Sequence, residues 1–260
     1  MSAPTYTITP LYYGRFPTYE TSVCLMMNAY GVKEDNPSIG YLIRGNGKNF
    51  LVDTGPGRQG VMKALHPLID VDFPEDASVE NALEREGLKP TDIDAVIWTH
   101  LHWDHCYNGE KFPGVPFYVQ EAEVTYALNP LPMHGNVYEA PCAGMTPPWL
   151  VVSDRLHIIK GDYTLVDGIE LLFTPGHTPG GQCVAVNTED GIYLIAGDTV
   201  MQYENWNGNG ALKHIYSTAH VNLLDFEDSY QRIEKLDPKM ILPGHDYKVF
   251  EHKTYPVKEE

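Results

Sequence analysis

The stretch His100–His105, which reads HLHWDH, places three histidines and one aspartate within six residues. It follows the apolar run Thr91–Thr99, which predicts a buried strand that delivers the chain directly into His100. Imidazole and carboxylate are the usual nitrogen and oxygen ligands of zinc and of neighbouring borderline metals. A core that buried these groups without a metal would leave several of them without hydrogen-bond partners. The stretch therefore predicts a metal site at the end of a strand.

Three further candidate ligands lie in glycine-containing turns that each follow a predicted strand. They are His177 within residues 174–180, Asp198 within residues 197–199 and His245 within residues 243–246. Loops at strand ends commonly bring together reactive groups from distant parts of a chain. The complete candidate set of metal ligands is His100, His102, Asp104, His105, His177, Asp198 and His245.

Apolar runs bounded by glycine, proline or charged residues predict the remaining elements. Residues 39–53 indicate a β-hairpin around a Gly-Asn-Gly turn, and this hairpin ends at Asp53. Helices are predicted at 78–87 and 226–236, and further strands at 116–119, 170–173, 183–186, 192–196 and 239–242. This mixture favours a pair of sheets with helices packed outside them, in a single domain over residues 1–260.

Two stretches stand apart from this pattern and predict long loops. Residues 126–150 are rich in proline and aromatic side chains, and residues 201–220 are rich in asparagine, glycine and tyrosine. Long loops in a compact domain often act as lids or binding loops, and a tolerated surface insertion is the alternative. For the loop histidines His134, His214 and His220 we favour surface placement over substrate contact.

Composition excludes several classes of partner. Acidic residues outnumber basic ones by 35 to 18, so the mean surface field repels polyanions and nucleic acid is not an expected partner. The first ten residues do not form a leader pattern and no apolar run reaches membrane-spanning length, which predicts a cytoplasmic protein without membrane association. The four cysteines are widely spread and are interpreted as reduced thiols. The stretch around Met26 and Met27 is a candidate for a homodimer contact or a pocket wall.

The separated motifs together resemble the metallo-β-lactamase superfamily. The resemblance runs from about Ile39 to Tyr247 and includes Asp53-Thr54-Gly55. It implies an αββα sandwich of two mixed β-sheets flanked by helices, with the site at the edge of the sandwich. The ligands that it implies are His100, His102 and His177 for one metal, Asp104, His105 and His245 for the other, and Asp198 bridging both. Asp53 would orient a ligand through a hydrogen bond without touching a metal.

The residue at position 102 separates branches of the superfamily. Flavodiiron members place a glutamate there, whereas His102 in this chain favours hydrolysis by zinc. The expected cofactors are two divalent metal ions, zinc first. Iron, manganese or cobalt are alternatives, because the same nitrogen and oxygen ligands bind them according to availability.

Within the superfamily the chain resembles the N-acyl homoserine lactonases at residues 41–44, 52–55, 100–105 and 174–182. This resemblance implies that a metal-bridging hydroxide opens a lactone similar to an N-acyl homoserine lactone, while Asp104 shuttles a proton to the leaving group. Those lactonases carry a tyrosine three residues after the bridging aspartate, where its hydroxyl contacts the lactone. This chain has Met201 at that position, and Tyr203 is the candidate replacement, with simple packing as the alternative.

Other functions share the same metal motif. A thioesterase of the glyoxalase II type is the main alternative, although such enzymes usually add a basic C-terminal extension and only 15 residues follow His245. Hydrolysis of another ester or of a cyclic amide is also compatible with the motif. An exported β-lactamase and an RNA-processing enzyme fit the N-terminus and the acidic charge poorly. A metal-binding protein without turnover need not retain all seven ligands. Cys106 lies beside the motif and is interpreted as a structural thiol.

Overall fold

The computed structural model describes residues 4–257 and arranges its strands in two mixed sheets. The first sheet has the strand order β1-β2-β3-β4-β5-β6. Its strands are β1 (Thr7–Glu20), β2 (Lys33–Gly45), β3 (Lys48–Val52), β4 (Ala95–Ile97), β5 (Phe117–Gln120) and β6 (Leu156–Ile159). The pairs β1/β2 and β2/β3 are antiparallel, whereas the pairs β3/β4, β4/β5 and β5/β6 are parallel.

The second sheet has five strands in the order β11-β10-β9-β8-β7. They are β7 (Tyr163–Val166), β8 (Ile169–Phe173), β9 (Gln182–Thr188), β10 (Gly191–Gly197) and β11 (Met240–Pro243). The pair β10 and β11 is parallel, and the other pairs are antiparallel.

Short helices connect and cover the strands. They are α1 (Thr21–Cys24), α2 (Gln59–Leu65), α3 (Val79–Arg85), α4 (Trp103–Cys106), α5 (Glu121–Leu128), α6 (Tyr203–Asn207) and α7 (Leu223–Leu236). Segments of 3₁₀-helix occupy Glu75–Ala77, Pro90–Asp92, Gly109–Lys111, Pro132–His134, Pro141–Ala143, Pro148–Arg155 and Tyr247–Glu251. Across residues 4–257, no helix combines the length and the apolar character needed to cross a bilayer.

Alternation along the strands divides the core into layers. In β2, Tyr41 and Ile43 pack between the sheets, whereas Leu42 points outward against the side of α3 and α5. In β9, Val184 packs between the sheets and Cys183 faces α7. Since successive strand residues point to opposite faces, each sheet has one face in the central core and one under helices. The predicted αββα sandwich is confirmed.

The helix α7 illustrates how the sequence sets an outer layer. Phe226, Tyr230 and Ile233 are buried at helical spacing and form one apolar stripe against the second sheet. The side chain of Asn222 caps the first turn by accepting hydrogen bonds from the backbone N–H groups of Leu224 and Asp225. The helix therefore begins three residues before the predicted start at Phe226.

Several predicted elements need correction. The hairpin is confirmed as β2 and β3, but the strand predicted from Thr91 begins only at Ala95, because Pro90 starts a 3₁₀ turn. The helix predicted at 78–87 occupies Val79–Arg85, with Ser78 as its N-cap. The strands β1, β6 and β7 were not predicted. Two register shifts interrupt the alternation of β1, which therefore lacks a clear strand pattern.

Candidate metal centre

The strand ends at one edge of the sandwich carry all seven candidate ligands. The strand β4 ends at Ile97, three residues before His100, and His102 is the N-cap residue of α4, whose first turn carries Asp104 and His105. In the second sheet, Asp198 follows β10 directly, and His245 stands two residues after β11. His177 lies in the turn between β8 and β9. The two sheets therefore contribute jointly to one site.

These seven residues, here called the ligand cluster, form overlapping groups. In each group the ligand atoms lie within 4.8 Å of one another, and the groups are His100 with His102 and His177, His100 with His105 and Asp198, and Asp104 with His105 and His245. The first and third groups match the two metal sites that the resemblance implies. The cluster thus offers two adjacent groups of nitrogen and oxygen atoms of the kinds that bind divalent metals.

Asp198 lies between the two groups. Its Oδ1 is 3.1 Å from Nε2 of His245 and 3.3 Å from Nε2 of His105, whereas its Oδ2 is 3.5 Å from Nε2 of His177. One carboxylate oxygen therefore faces each side of the cluster, which is the arrangement expected of a bridging ligand.

Unsatisfied polar atoms test whether the cluster fits a metal. The buried atoms Nε2 of His100, Nε2 of His105 and Oδ1 of Asp198 have no hydrogen-bond partner among the described residues. Leaving such atoms buried and unpaired costs several kcal/mol in total, at about 1–3 kcal/mol each, unless another species binds them. They are three of the eight buried side-chain nitrogen and oxygen atoms without a partner among the described residues, and they lie together in the ligand cluster, whose residues fit a divalent cation.

The electrostatics of the cluster agree with this fit. Burial, assisted by the neighbouring imidazoles, holds the pKa of His100 and of His102 well below the usual value, so both rings are neutral and have a lone pair to offer. Burial by itself would raise the pKa of Asp198, but His245 and His105 outweigh it and hold that pKa well below its ordinary value. Burial by itself would lower the pKa of His105 and of His245, but Asp198 and Asp104 outweigh it and raise both pKa values. One group therefore presents neutral imidazoles beside an ionised carboxylate, whereas metal binding by His105 and His245 would displace protons from these two rings.

Asp53 supports the cluster as predicted, through hydrogen bonds. Its Oδ2 lies 2.8 Å from Nδ1 of His105, and its two oxygens accept from the backbone N–H and the hydroxyl of Thr99, each at 2.7 Å. The backbone of Asp53 is left-handed, with φ of 60°. Because Nδ1–H of His105 donates to this carboxylate, Nε2 is left free to bind a metal.

Backbone carbonyls orient two other imidazoles by accepting a hydrogen bond from Nδ1–H. Nδ1 of His177 donates to the carbonyl of Ala219 at 2.6 Å, and Nδ1 of His245 donates to that of Pro37 at 2.8 Å. Both rings consequently turn Nε2 toward the cluster. Ala219 belongs to the predicted loop 201–220, so this loop helps to hold a ligand as well as to form a wall.

Glu123 in α5 is a functional residue that the sequence analysis missed. It is fully buried, and its Oε1 accepts from the backbone N–H of Leu101 at 2.9 Å and from the hydroxyl of Tyr138 at 3.0 Å. Its Oε2 accepts from the backbone N–H of Gly180 at 3.0 Å. Burial raises the pKa of Glu123, against the effect of these hydrogen bonds. The carboxylate ties the turn carrying His100 to the turn carrying His177. Glu123 precedes Ala127 by four residues, so both lie on the buried face of α5. This spacing is the sequence signal that could have indicated a buried glutamate.

A second buried network supports Trp103. The indole stacks on the ring of His66 with centroids 4.2 Å apart, and Nε2 of His66 lies 2.8 Å from Oε1 of Glu139. The hydroxyl of Tyr107 donates to the other oxygen of Glu139 at 2.5 Å. Since Trp103 precedes Asp104, this network restricts the turn that presents the aspartate. No local motif in the sequence pointed to it.

A cleft of about 150 Å³ opens above the ligand cluster. Its floor, here called the cleft floor, consists of His102, Asp104, His177, Asp198 and His245. Its walls contain Phe16, Tyr19, Cys24, Asn36, Ile69, Trp103, His134, Val137, Met201, Ala219, His220 and Val221. Both predicted loops contribute to these walls. The loop histidines His134 and His220 face the cleft, whereas His214 pairs with Glu234 elsewhere at 2.6 Å.

The structure does not bring Tyr203 to this cleft. Its ring packs at the edge of the core between the sheets and lies 5.9 Å from Nζ of Lys248. Its backbone N–H donates to Oδ2 of Asp246 at 3.0 Å, at the start of α6. The placement matches the packing alternative for Tyr203. Cys106 is buried with Sγ 3.4 Å from the carbonyl of Leu101, and it lies outside the metal groups, as a structural thiol would.

Comparison with known proteins identifies the family. Residues 37–245 match the family model of the metallo-beta-lactamase superfamily, and the chain belongs to that superfamily. An N-acyl homoserine lactonase of Bacillus thuringiensis is 32% identical over 174 residues, which are 64% of this chain and 65% of that protein. A probable metallo-hydrolase of Methanocaldococcus jannaschii is 30% identical over 227 residues, or 85% of this chain and 91% of that protein. The match thus spans somewhat less than two thirds of the Bacillus lactonase.

Solved structures extend the likeness to the whole fold. A Bacillus thuringiensis AiiA variant with N-decanoyl-L-homoserine bound at its active site superposes with a TM-score of 0.77 and 26% identity. A structure of an N-acyl homoserine lactone hydrolase with the product N-hexanoyl-L-homoserine bound at its catalytic metal centre has a TM-score of 0.77 and 25% identity. Each match covers 96% of both chains.

Proposed function

We propose that this chain is a dinuclear metal-dependent hydrolase that opens lactones of the N-acyl homoserine lactone type. The observation that carries the proposal is the position of Asp198, whose two oxygens face the two groups of imidazoles at the floor of a largely apolar cleft. His100, His102 and His177 would hold one ion, and Asp104, His105 and His245 the other, with Asp198 between them. Zinc is the favoured metal.

The metals, when bound, would supply Lewis acidity and a water-derived nucleophile at neutral pH. The chain itself positions the substrate and manages protons. The side chain of Asp104 is only partly buried and borders the cleft, with Oδ2 3.6 Å from Nε2 of His105 and 3.8 Å from Nε2 of His245. We infer that this carboxylate accepts the proton that the water-derived nucleophile releases as it adds to the carbonyl carbon, and passes it to the alkoxide oxygen that departs when the ester C–O bond breaks.

The walls of the cleft favour a lactone with an apolar acyl group over a glutathione thioester. Ile69, Trp103, Val137 and Val221 supply apolar surface beside the cleft floor. No lysine or arginine of residues 4–257 lines the cleft, so the carboxylates of a glutathione conjugate would lack a cationic partner there. Burial of an alkyl chain against these walls contributes about 0.8 kcal/mol for each methylene removed from water.

The test is a substrate comparison on zinc-reconstituted protein. We expect hydrolysis of long-acyl homoserine lactones with kcat/KM well above that for S-lactoylglutathione and for a β-lactam. Elemental analysis of the same sample should find close to two equivalents of metal per chain, and chelation should abolish turnover. Faster hydrolysis of the thioester would contradict the substrate assignment. One equivalent of metal under replete conditions would contradict the dinuclear site.

A further inference from the structure

Three polar side chains in the cleft walls, Asn36, His134 and His220, have hydrogen-bond partners within the protein. The amide nitrogen of Asn36 points to Sγ of Cys24 at 3.7 Å, and its oxygen accepts from Gln202 at 2.8 Å. Nδ1 of His134 is 2.7 Å from the hydroxyl of Tyr126, and Nδ1 of His220 is 2.8 Å from the carbonyl of Ser217. These side chains are thus oriented by their neighbours.

Tyr19 differs from them, because its hydroxyl has no hydrogen-bond partner within residues 4–257 while it lines the cleft. Its ring is held in place by Phe16, with centroids 5.6 Å apart, and by the apolar cluster that includes Phe73 and Trp103. The side chain stands near the end of β1, where Tyr19 pairs with Glu34 of β2. A fixed ring with a free hydroxyl is a preorganised donor.

The neighbourhood of Tyr19 keeps this hydroxyl a donor. Burial, together with the nearby Cys24, Asp104 and Asp198, raises the pKa of Tyr19, so the phenol stays protonated. Asp104 and Asp198 belong to the cleft floor, and Tyr19 lines the same cleft. Met201, in the wall that follows Asp198, offers only a thioether.

We propose that Tyr19 is the catalytic hydrogen-bond donor of the cleft wall, and that its hydroxyl binds an oxygen of the ester or lactone group. This inference rests on the proposed function. Ester cleavage builds negative charge first on the carbonyl oxygen and then on the leaving oxygen, and a neutral donor aimed at such an oxygen stabilises the transition state. No proton leaves Tyr19, so the hydroxyl needs no partner to restore it. Tyr19 of β1 thereby supplies a hydroxyl donor in the cleft, which Met201 lacks and which Tyr203 cannot provide from its position outside the cleft.

The experiment compares Tyr19→Phe with the matched control Tyr203→Phe, which removes a hydroxyl outside the cleft. With a homoserine lactone as substrate, we expect Tyr19→Phe to lower kcat/KM by about 10²- to 10³-fold, mainly through kcat. Metal content and thermal midpoint should match the wild type, and Tyr203→Phe should retain wild-type kinetics.

Three results would overturn the assignment, and they are distinguishable. A Tyr19→Phe variant as fast as an active wild type shows that the hydroxyl is not used, and it leaves the proposed function intact. A Tyr19→Phe variant that loses metal shows that the hydroxyl supports the ligand cluster and does not act on the substrate. A fully metallated wild type that hydrolyses neither lactones nor simple esters overturns the proposed function and the role of Tyr19 together.

Discussion

The ligand cluster and the walls of the cleft are held in place by different kinds of contact. The imidazoles of His105, His177 and His245 each donate from Nδ1 to a fixed oxygen, and two of those oxygens are backbone carbonyls. The walls come from β1 and from loops, and they combine apolar packing with a free hydroxyl at Tyr19. The three ligand rings are thus each fixed by a separate hydrogen bond within the protein, so their orientation as a set does not depend on a single contact. Recognition of the substrate, in contrast, depends on a few side chains of the walls. This difference between the ligand cluster and its surroundings can be tested by substitutions, first in a candidate ligand and then in the residues around the cluster.

The largest effect is expected from Asp198→Ala. Loss of the carboxylate that faces both groups should release metal and lower kcat by at least about 10³-fold, more than the 10–100-fold typical for loss of a ligand's hydrogen-bonded support. Elemental analysis and lactone kinetics would measure the two effects. Near-normal turnover in this variant would show that Asp198 is not a ligand.

A smaller but still large effect is expected from Asp53→Asn. The amide group would present N–H to Nδ1 of His105, favouring the ring tautomer that carries its proton on Nε2, which faces the cluster. We expect metal affinity to fall about 10- to 100-fold, measured by competition with a chelating dye. Asp154→Asn is the control, because the side chain of Asp154 is 80% exposed. Equal affinities for the two variants would contradict the orienting role of Asp53.

Glu123→Gln should act on stability more than on chemistry. An amide at this position cannot accept hydrogen bonds at both ends, so one buried N–H group of the ligand turns would lose its partner. We expect the free energy of unfolding to fall by about 1–3 kcal/mol in a denaturant titration. The control Glu121→Gln changes a side chain that is 55% exposed and paired with Lys160, and it should shift stability by less than about 0.5 kcal/mol. Indistinguishable midpoints would remove Glu123 from the supporting network.

The smallest effect is expected from Cys106→Ala. The thiol is buried next to His105 but makes only a weak hydrogen bond, to the carbonyl of Leu101. The variant should keep full metal content and lactone turnover, and lose at most about 1–2 kcal/mol of stability through the small cavity. A drop in bound metal would identify Cys106 as a ligand and extend the cluster beyond imidazole and carboxylate.

The seven candidate ligands could be found in the sequence, and the structure brings them together, because the relevant signal is local. Each ligand lies in a short turn after an apolar strand, and strand ends of a sandwich meet at one edge. The layers of the sandwich also follow from local alternation, as in β2 and β9. These features need no knowledge of which distant residues come together.

The residues that the sequence did not predict depend on distant contacts. The strand β1 contains Pro10, Gly14 and Pro17 and two register shifts, so its pairing with β2 replaces the missing local pattern. Tyr19 reaches the cleft only through that pairing. Tyr203 lies close to Asp198 in sequence, but it starts α6 and its ring packs against the core instead. Closeness in sequence to a candidate ligand therefore did not predict which tyrosine lines the cleft.

The division of the ligand cluster between two sheets has a consequence for folding. His100, His102, Asp104 and His105 follow the first sheet, whereas Asp198 and His245 follow strands of the second. Ions bound between these ligands would connect the two sheets at the open edge of the sandwich. The metal sites would be complete only after the two sheets had packed together. At free metal 100 times the dissociation constant, such binding to the folded state alone stabilises it by about 2.7 kcal/mol for a single site. Metal supply would then set the free energy of unfolding of the protein in addition to its rate of turnover.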